Sequence, residues 1–115
     1  MPLLKLQTTA AVAPDQRKAL LSSLSKTLAE TIGKPEQYVM VTVDQAAILM
    51  SGNEGDAAFV DIRSIGGLNA DVNRKLSQQI CKILGSSLGI EPQRVYLNFI
   101  NVSGSNWGWK GGTFG

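Results

Sequence analysis

Apolar positions along this chain follow two rhythms, and each rhythm is used twice. Near the start, Leu4 and Leu6 fall on one side and Lys5 and Gln7 on the other, which predicts a half-buried β-strand. Between Pro14 and Gly33, Leu20, Leu21, Leu24, Leu28 and Ile32 recur at helical spacing. Pro14 suits a first helical position and Asp15 complements the positive end of the helix dipole. Gly33 supplies a left-handed stop, and Pro35 forbids continuation. A second helix follows the same plan: Asn69 caps it, Val72, Leu76, Ile80, Ile83 and Leu84 face inward, Gly89 stops it and Pro92 lies beyond. A β-rich run follows each helix, YVMVTV at 38–43 and RVYLNFI at 94–100.

The two helices are versions of one another. Residues 14–33 lie over 70–89 without a gap, with Asp15/Asp71, Leu20/Leu76, Lys26/Lys82, Leu28/Leu84 and Gly33/Gly89 identical. Leu4 and Leu6 fall over Val60 and Ile62, and Gln37 and Val39 over Gln93 and Val95. The chain thus reads as one domain, residues 1–115, with halves of about 1–56 and 57–115. Each half is strand, helix, strand, and a unit of that length favours a right-handed crossover between parallel strands. The expected fold is α/β (α+β): duplicated β-α-β units forming a four-stranded mixed sheet with two helices on one face. A ferredoxin-like interleaving of the strands has the same element order and stays open. The second sheet face, expected to carry Val39, Val41, Tyr96 and Phe99, needs a cover, and self-association is the expected one.

Composition removes whole classes of chemistry. There is no histidine, so imidazole-based triads and proton shuttles are excluded. One cysteine, Cys81, permits neither an internal disulfide nor a thiolate metal cage, and its place on the apolar side of a helix predicts an inert thiol. A net charge of +2 with scattered Lys and Arg argues against a nucleic-acid partner. No stretch reaches the roughly 18 apolar residues of a membrane span, which predicts no membrane partner and a cytoplasmic protein. Asn101-Val102-Ser103 matches a glycosylation acceptor but has no secretory context. Acid–base work near neutrality falls to a carboxylate, a lysine, a tyrosine or a terminal amine. Pro2 is the notable candidate: an α-amine titrates at about 7.7–8.0, burial or a nearby cation lowers that, and the proline ring fixes where the nitrogen points.

Five motifs, MP at 1–2, GKPEQYV at 33–39, SIGG at 64–67, RVYLNF at 94–99 and NWGWKGGTFG at 106–115, stand in an order that resembles the macrophage migration inhibitory factor family of the tautomerase superfamily. The resemblance spans the whole chain. It implies a homotrimer whose sheets wrap a central barrel, with active sites between subunits. It also implies removal of Met1, which frees the Pro2 amine as general base. By the same resemblance Lys34 binds the substrate carboxylate, and Ser64 and Ile65 supply pocket backbone. Tyr96 and Asn98 enter from the neighbouring subunit, and Trp109 and Phe114 are pocket walls or trimer contacts. The implied activity is keto–enol isomerisation of phenylpyruvate-like aromatic α-keto acids and dopachrome-type analogues, with no cofactor and no metal. A signalling or binding protein with a vestigial pocket is the alternative, and vertebrate members are secreted without a signal peptide. Residues 57–60 read AAFV where vertebrate relatives carry C-x-x-C, so thiol redox activity is not implied. Leu3 and Phe99 replace a common methionine and tyrosine, a difference that bears on substrate preference.

Overall fold

The computed structural model describes residues 1–115. Strand β1 (Pro2–Thr8), helix α1 (Pro14–Ile32) and strand β2 (Met40–Gln45) form the first half. Strand β3 (Ala58–Ser64), helix α2 (Ala70–Leu88) and strand β4 (Val95–Asn101) form the second. A small hairpin, β5 (Gly108–Trp109) and β6 (Gly112–Thr113), ends the chain. Within each half the two strands run parallel, and β1 and β3 join the halves antiparallel in the order β2-β1-β3-β4. Each half keeps its own strands side by side, which excludes the ferredoxin-like interleaving. Pro2 opens a central strand and is tolerated because the first residue need not donate to the ladder.

The duplication shows in the core. Leu4 and Leu6 of β1 lie opposite Ile62 and Val60 of β3, and all four are fully buried. Leu20, Leu24 and Leu28 of α1 and Leu76, Ile80 and Leu84 of α2 cover them from one side. Leu21, expected to face inward, is only half-buried and lies outside this cluster, because the stripe that meets the sheet is narrower than the apolar face of the helix.

The uncovered sheet face differs from expectation. Val39, Val41 and Phe99 pack against the core on the helix side, and only Tyr96 of the four expected residues points the other way. Strand register sets this: Leu4 pairs with Val41 and Ile62 with Phe99, so these side chains share the covered face. The other face mixes Leu3, Met40, Phe59, Tyr96 and Ile100 with Lys5, Gln7, Asp61, Arg63 and Asn98. An Asp61–Arg63 ion pair at 3.2 Å lies on it.

The helix ends behave as their residues require. Gly33 and Gly89 take left-handed conformations, φ 79° and 69°. Helix α1 has no side-chain cap at Ala13 and relies on Pro14 and Asp15, whereas Asn69 Oδ1 accepts the Val72 N–H at 2.9 Å. Asn69→Ala is therefore expected to cost about 1 kcal/mol. Urea denaturation should show a lowered midpoint with an unchanged slope.

Arg94 organises the long link between β2 and β3, a role that its sequence position did not reveal. Its guanidinium donates to the carbonyls of Met50 (2.8 Å), Asn53 (3.1 Å), Gly55 (2.8 Å) and Asp56 (3.1 Å). One charged donor thus gathers four carbonyls of the link, two of which, Met50 and Asn53, also accept each other's N–H in an antiparallel bridge.

Candidate active site

Three segments converge where β1 begins. Pro2 is buried and lies opposite Ser64, the last residue of β3, which in turn pairs with Asn101 at the end of β4. Ser64 is fully buried, and its hydroxyl oxygen has no hydrogen-bond partner within the chain. After Ser64 the chain turns sharply through Ile65, Gly66 and Gly67, with φ of 71° at Gly66 and 84° at Gly67. Both glycines are needed there, since other residues rarely adopt this conformation. The turn also presses on the end of α1: a Cβ at Gly67 would stand 2.8 Å from Ile32 Cγ2 and 3.5 Å from Lys34 Cε.

Lys34 is delivered to this place by the helix stop. The N–H groups of Gly33 and Lys34 both donate to the Ala29 carbonyl, at 2.9 and 3.0 Å, which turns the chain off the helix axis. The Lys34 side chain then crosses to the turn, and Nζ donates to the Ile65 carbonyl at 3.1 Å. It is an anchored cation rather than a freely solvated one. Lys34 also lines a cavity of about 430 Å³ with Lys26, Glu30 and Glu36.

The electrostatics at this end of the sheet act on an amine. The α-amine of Met1 is held below the ordinary value of 8.0, first by burial and then by the positive charge of Lys34. Both causes disfavour an ammonium there. The site therefore favours the neutral, proton-accepting form of a terminal nitrogen.

The structure brings Pro2, Lys34, Ser64 and Ile65 together and leaves Tyr96 and Asn98 apart from them. Tyr96 and Asn98 share the uncovered face, while Pro2, Ser64 and Asn101 face the helices. Measured along β4 from Asn101, they stand about 17 Å and about 10 Å back at a rise of about 3.3 Å per residue. Tyr96 is 66% exposed, too open for a residue satisfied within its own chain.

Trp109 lies in the terminal hairpin and Phe114 directly follows it. Lys110 (φ 54°) and Gly111 (φ 80°) both take left-handed conformations at its tip, as a two-residue hairpin of matching twist requires. The Trp109 and Phe114 rings stack at 5.7 Å with 17° between planes, and Lys110 Nζ sits 5.7 Å from the Trp109 ring. The Val102 N–H donates to the Ser64 carbonyl at 2.8 Å, tying the start of this tail to the Pro2 end of the sheet. Next to it Leu3, Arg63, Val102, Asn106 and Trp107 line a cavity of about 270 Å³. Leu3 thus borders this region, whereas Phe99 packs into the core.

Elsewhere, burial pushes the Cys81 thiol up from its ordinary value, away from nucleophilic thiolate character. No three His, Cys, Asp or Glu side chains gather as metal ligands, and no helix is long and apolar enough to cross a membrane.

A duplicated β-α-β sheet of order β2-β1-β3-β4 with two helices on one face is the fold of the tautomerase class. The family model described as macrophage migration inhibitory factor matches residues 1–115, and the chain belongs to that family. It is 37% identical over 98 residues to the macrophage migration inhibitory factor of Meriones unguiculatus, covering 84% of this chain and 85% of the relative. The homologue from Trichinella spiralis is 35% identical over 115 residues, 99% of this chain and 100% of the relative. The crystal structure of the homologue from Prochlorococcus marinus superposes with a TM-score of 0.93 at 36% identity, covering 98% of this chain and 99% of that one.

Proposed function

We propose that this protein is a tautomerase interconverting the keto and enol forms of phenylpyruvate-like aromatic α-keto acids, with the amine of Pro2 as the single base. The observation that carries the reading is the Lys34–Ile65 contact at 3.1 Å, made at the sheet end where Pro2 lies opposite Ser64. It sets a cation and a turn of backbone amides beside the nitrogen that Met1 removal exposes. The Pro2 nitrogen takes the proton of the enol hydroxyl, and the resulting ammonium returns it to the carbon next to the carbonyl. The ketone forms and the base is regenerated, with no cofactor required. Lys34 holds the substrate carboxylate. The Ile65 N–H and the Asn98 side chain stabilise the charge that develops on oxygen.

Asn98 and Tyr96 reach the site from a neighbouring subunit of a homotrimer. This is supported by their place on the uncovered face, away from their own Pro2, and by the apolar residues among which they sit. Trp109 and Phe114 wall the pocket against the substrate ring and keep water from the base.

The test is a pH–rate profile of processed protein and its Lys34→Ala variant. Only the neutral amine accepts a proton, so kcat/KM rises with pH through the amine pKa. Burial and Lys34 lower the Met1 amine at this end of the sheet, and the same two causes act on a Pro2 amine exposed there, so the wild-type midpoint should lie below that of an ordinary α-amine. Lys34→Ala removes the second cause and should move the midpoint up, while burial keeps it from returning fully. It should also lower kcat/KM for the carboxylate substrate by about tenfold or more, the worth of one hydrogen bond to a charged group. A wild-type midpoint at the ordinary amine value, unmoved by the substitution, would contradict the reading.

A further inference from the structure

The residue at the end of β4 has no role in the scheme above, yet its side chain reaches the turn on which that scheme depends. Asn101 Nδ2 donates to the Leu68 carbonyl at 3.0 Å, and Asn101 Oδ1 accepts the Leu68 N–H at 3.3 Å. One side-chain amide thus satisfies both backbone groups of a residue 33 positions away, as a neighbouring strand would. The next residue, Val102, donates its N–H to the Ser64 carbonyl at 2.8 Å. Residues 101 and 102 therefore hold the Ser64–Leu68 turn at both ends.

That turn needs holding. Gly66 and Gly67 at its centre have more conformational freedom to lose than any other residue type. Its Ile65 carbonyl receives Lys34 Nζ, and Gly67 packs on Ile32 and Lys34. Asn101 is itself exposed, so its amide contributes to the position of the turn and not to the apolar core. The glycosylation match at residues 101–103 takes on a different meaning: the nitrogen that a glycan would occupy is bonded to Leu68.

We propose that Asn101 is a positioning residue for substrate carboxylate recognition, acting through the Ser64–Leu68 turn and its Ile65 carbonyl on Lys34. This rests on the Lys34 role proposed above. Without the amide clasp the turn moves, the Lys34 anchor is lost, and the cation no longer meets the carboxylate at a fixed place.

The experiment compares processed wild type, Asn101→Ala, Asn101→Asp and Lys34→Ala on phenylpyruvate and on its uncharged methyl ester. Asn101→Ala should raise KM for the acid by about tenfold with kcat little changed, since small displacements of positioning groups cost up to about a hundredfold. Turnover of the ester should fall far less than that of the acid, because the ester has no carboxylate for Lys34 to hold. Asn101→Asp keeps the acceptor for the Leu68 N–H and loses the donor, so it should fall between wild type and Asn101→Ala. Hydrogen exchange at the Leu68 amide should accelerate in Asn101→Ala while amides of the β1–β3 core keep their protection, which also certifies the fold. Unchanged exchange at Leu68, or equal losses on acid and ester, would overturn the proposal. If Lys34→Ala separates acid from ester and Asn101→Ala does not, the Asn101 assignment alone fails. If Lys34→Ala does not separate them, the Lys34 role fails and the Asn101 assignment falls with it.

Discussion

Protein that retains Met1 should fold as the processed form does and show only background tautomerase activity. With Met1 in place the Pro2 nitrogen is a tertiary amide whose lone pair is delocalised into the Met1 carbonyl, so it accepts no proton near neutrality. Neither β1 nor the core depends on a free amine: the strand begins at Pro2 with its side chain already buried, and Leu4 and Leu6 carry the packing. The loss should amount to the whole contribution of the general base, about 100- to 10,000-fold. Pro2→Gly in processed protein should fall well below wild type for a related reason. It keeps an amine but loses the ring that fixes the direction of the nitrogen and covers it from water. Mass spectrometry separates the two N-terminal forms, and a keto–enol assay with circular dichroism on each completes the measurement. Equal turnover by both forms would place the base elsewhere and leave Pro2 as a strand starter only.

Two inactive variants should restore activity to one another. Asn98→Ala should lower kcat by about 100- to 1,000-fold, the usual loss when a donor to developing oxygen charge is removed. If each site takes Pro2 from one subunit and Asn98 from the next, mixed trimers of Pro2→Gly and Asn98→Ala contain sites with both residues intact. Random mixing of equal amounts makes about one site in four whole, because ring symmetry gives each site one member from each side. Activity after co-refolding should therefore reach about a quarter of wild type, far above either parent. Sedimentation of the mixture should show trimers. Recovery no greater than the average of the parents would mean that each chain builds its site alone, against the separation of Asn98 from Pro2 within one chain.

Much of the fold was legible because its signals are local. Helix α1 spans Pro14–Ile32 and α2 spans Ala70–Leu88, as leucine spacing, Asn69 and the two stopping glycines predicted. The strand after each helix starts slightly later than expected, at Met40 and Val95, because Tyr38 and Arg94 complete short 3-10 turns. Legibility failed where the answer lay in another part of the chain. The side of β4 that meets the core depends on pairing Ile62 with Phe99, and the alternation of RVYLNFI does not say which of its two faces is covered. The site divides the same way. Pro2 carried its own chemical signal, an amine at a chain end, whereas Lys34 was marked only by the family resemblance. Asn101 offered only a glycosylation match, and its clasp on Leu68 needed both β4 and the turn after β3 in place.

By itself the sequence determined the two amphipathic helices, the duplicated strand–helix–strand plan, the absence of imidazole chemistry and the motifs that marked Pro2 and Lys34. These follow from residue type and spacing within one turn of helix or a few residues of strand, where the chain's own stereochemistry sets the outcome. Tertiary structure alone decided the strand order, the mixed character of the uncovered sheet face, the Arg94 anchor of the long link and the meeting of Lys34 with Ile65. Each of these is a contact between residues distant in sequence. Such contacts form only when the sheet's register brings one backbone group opposite another, and no local preference along the chain specifies that register.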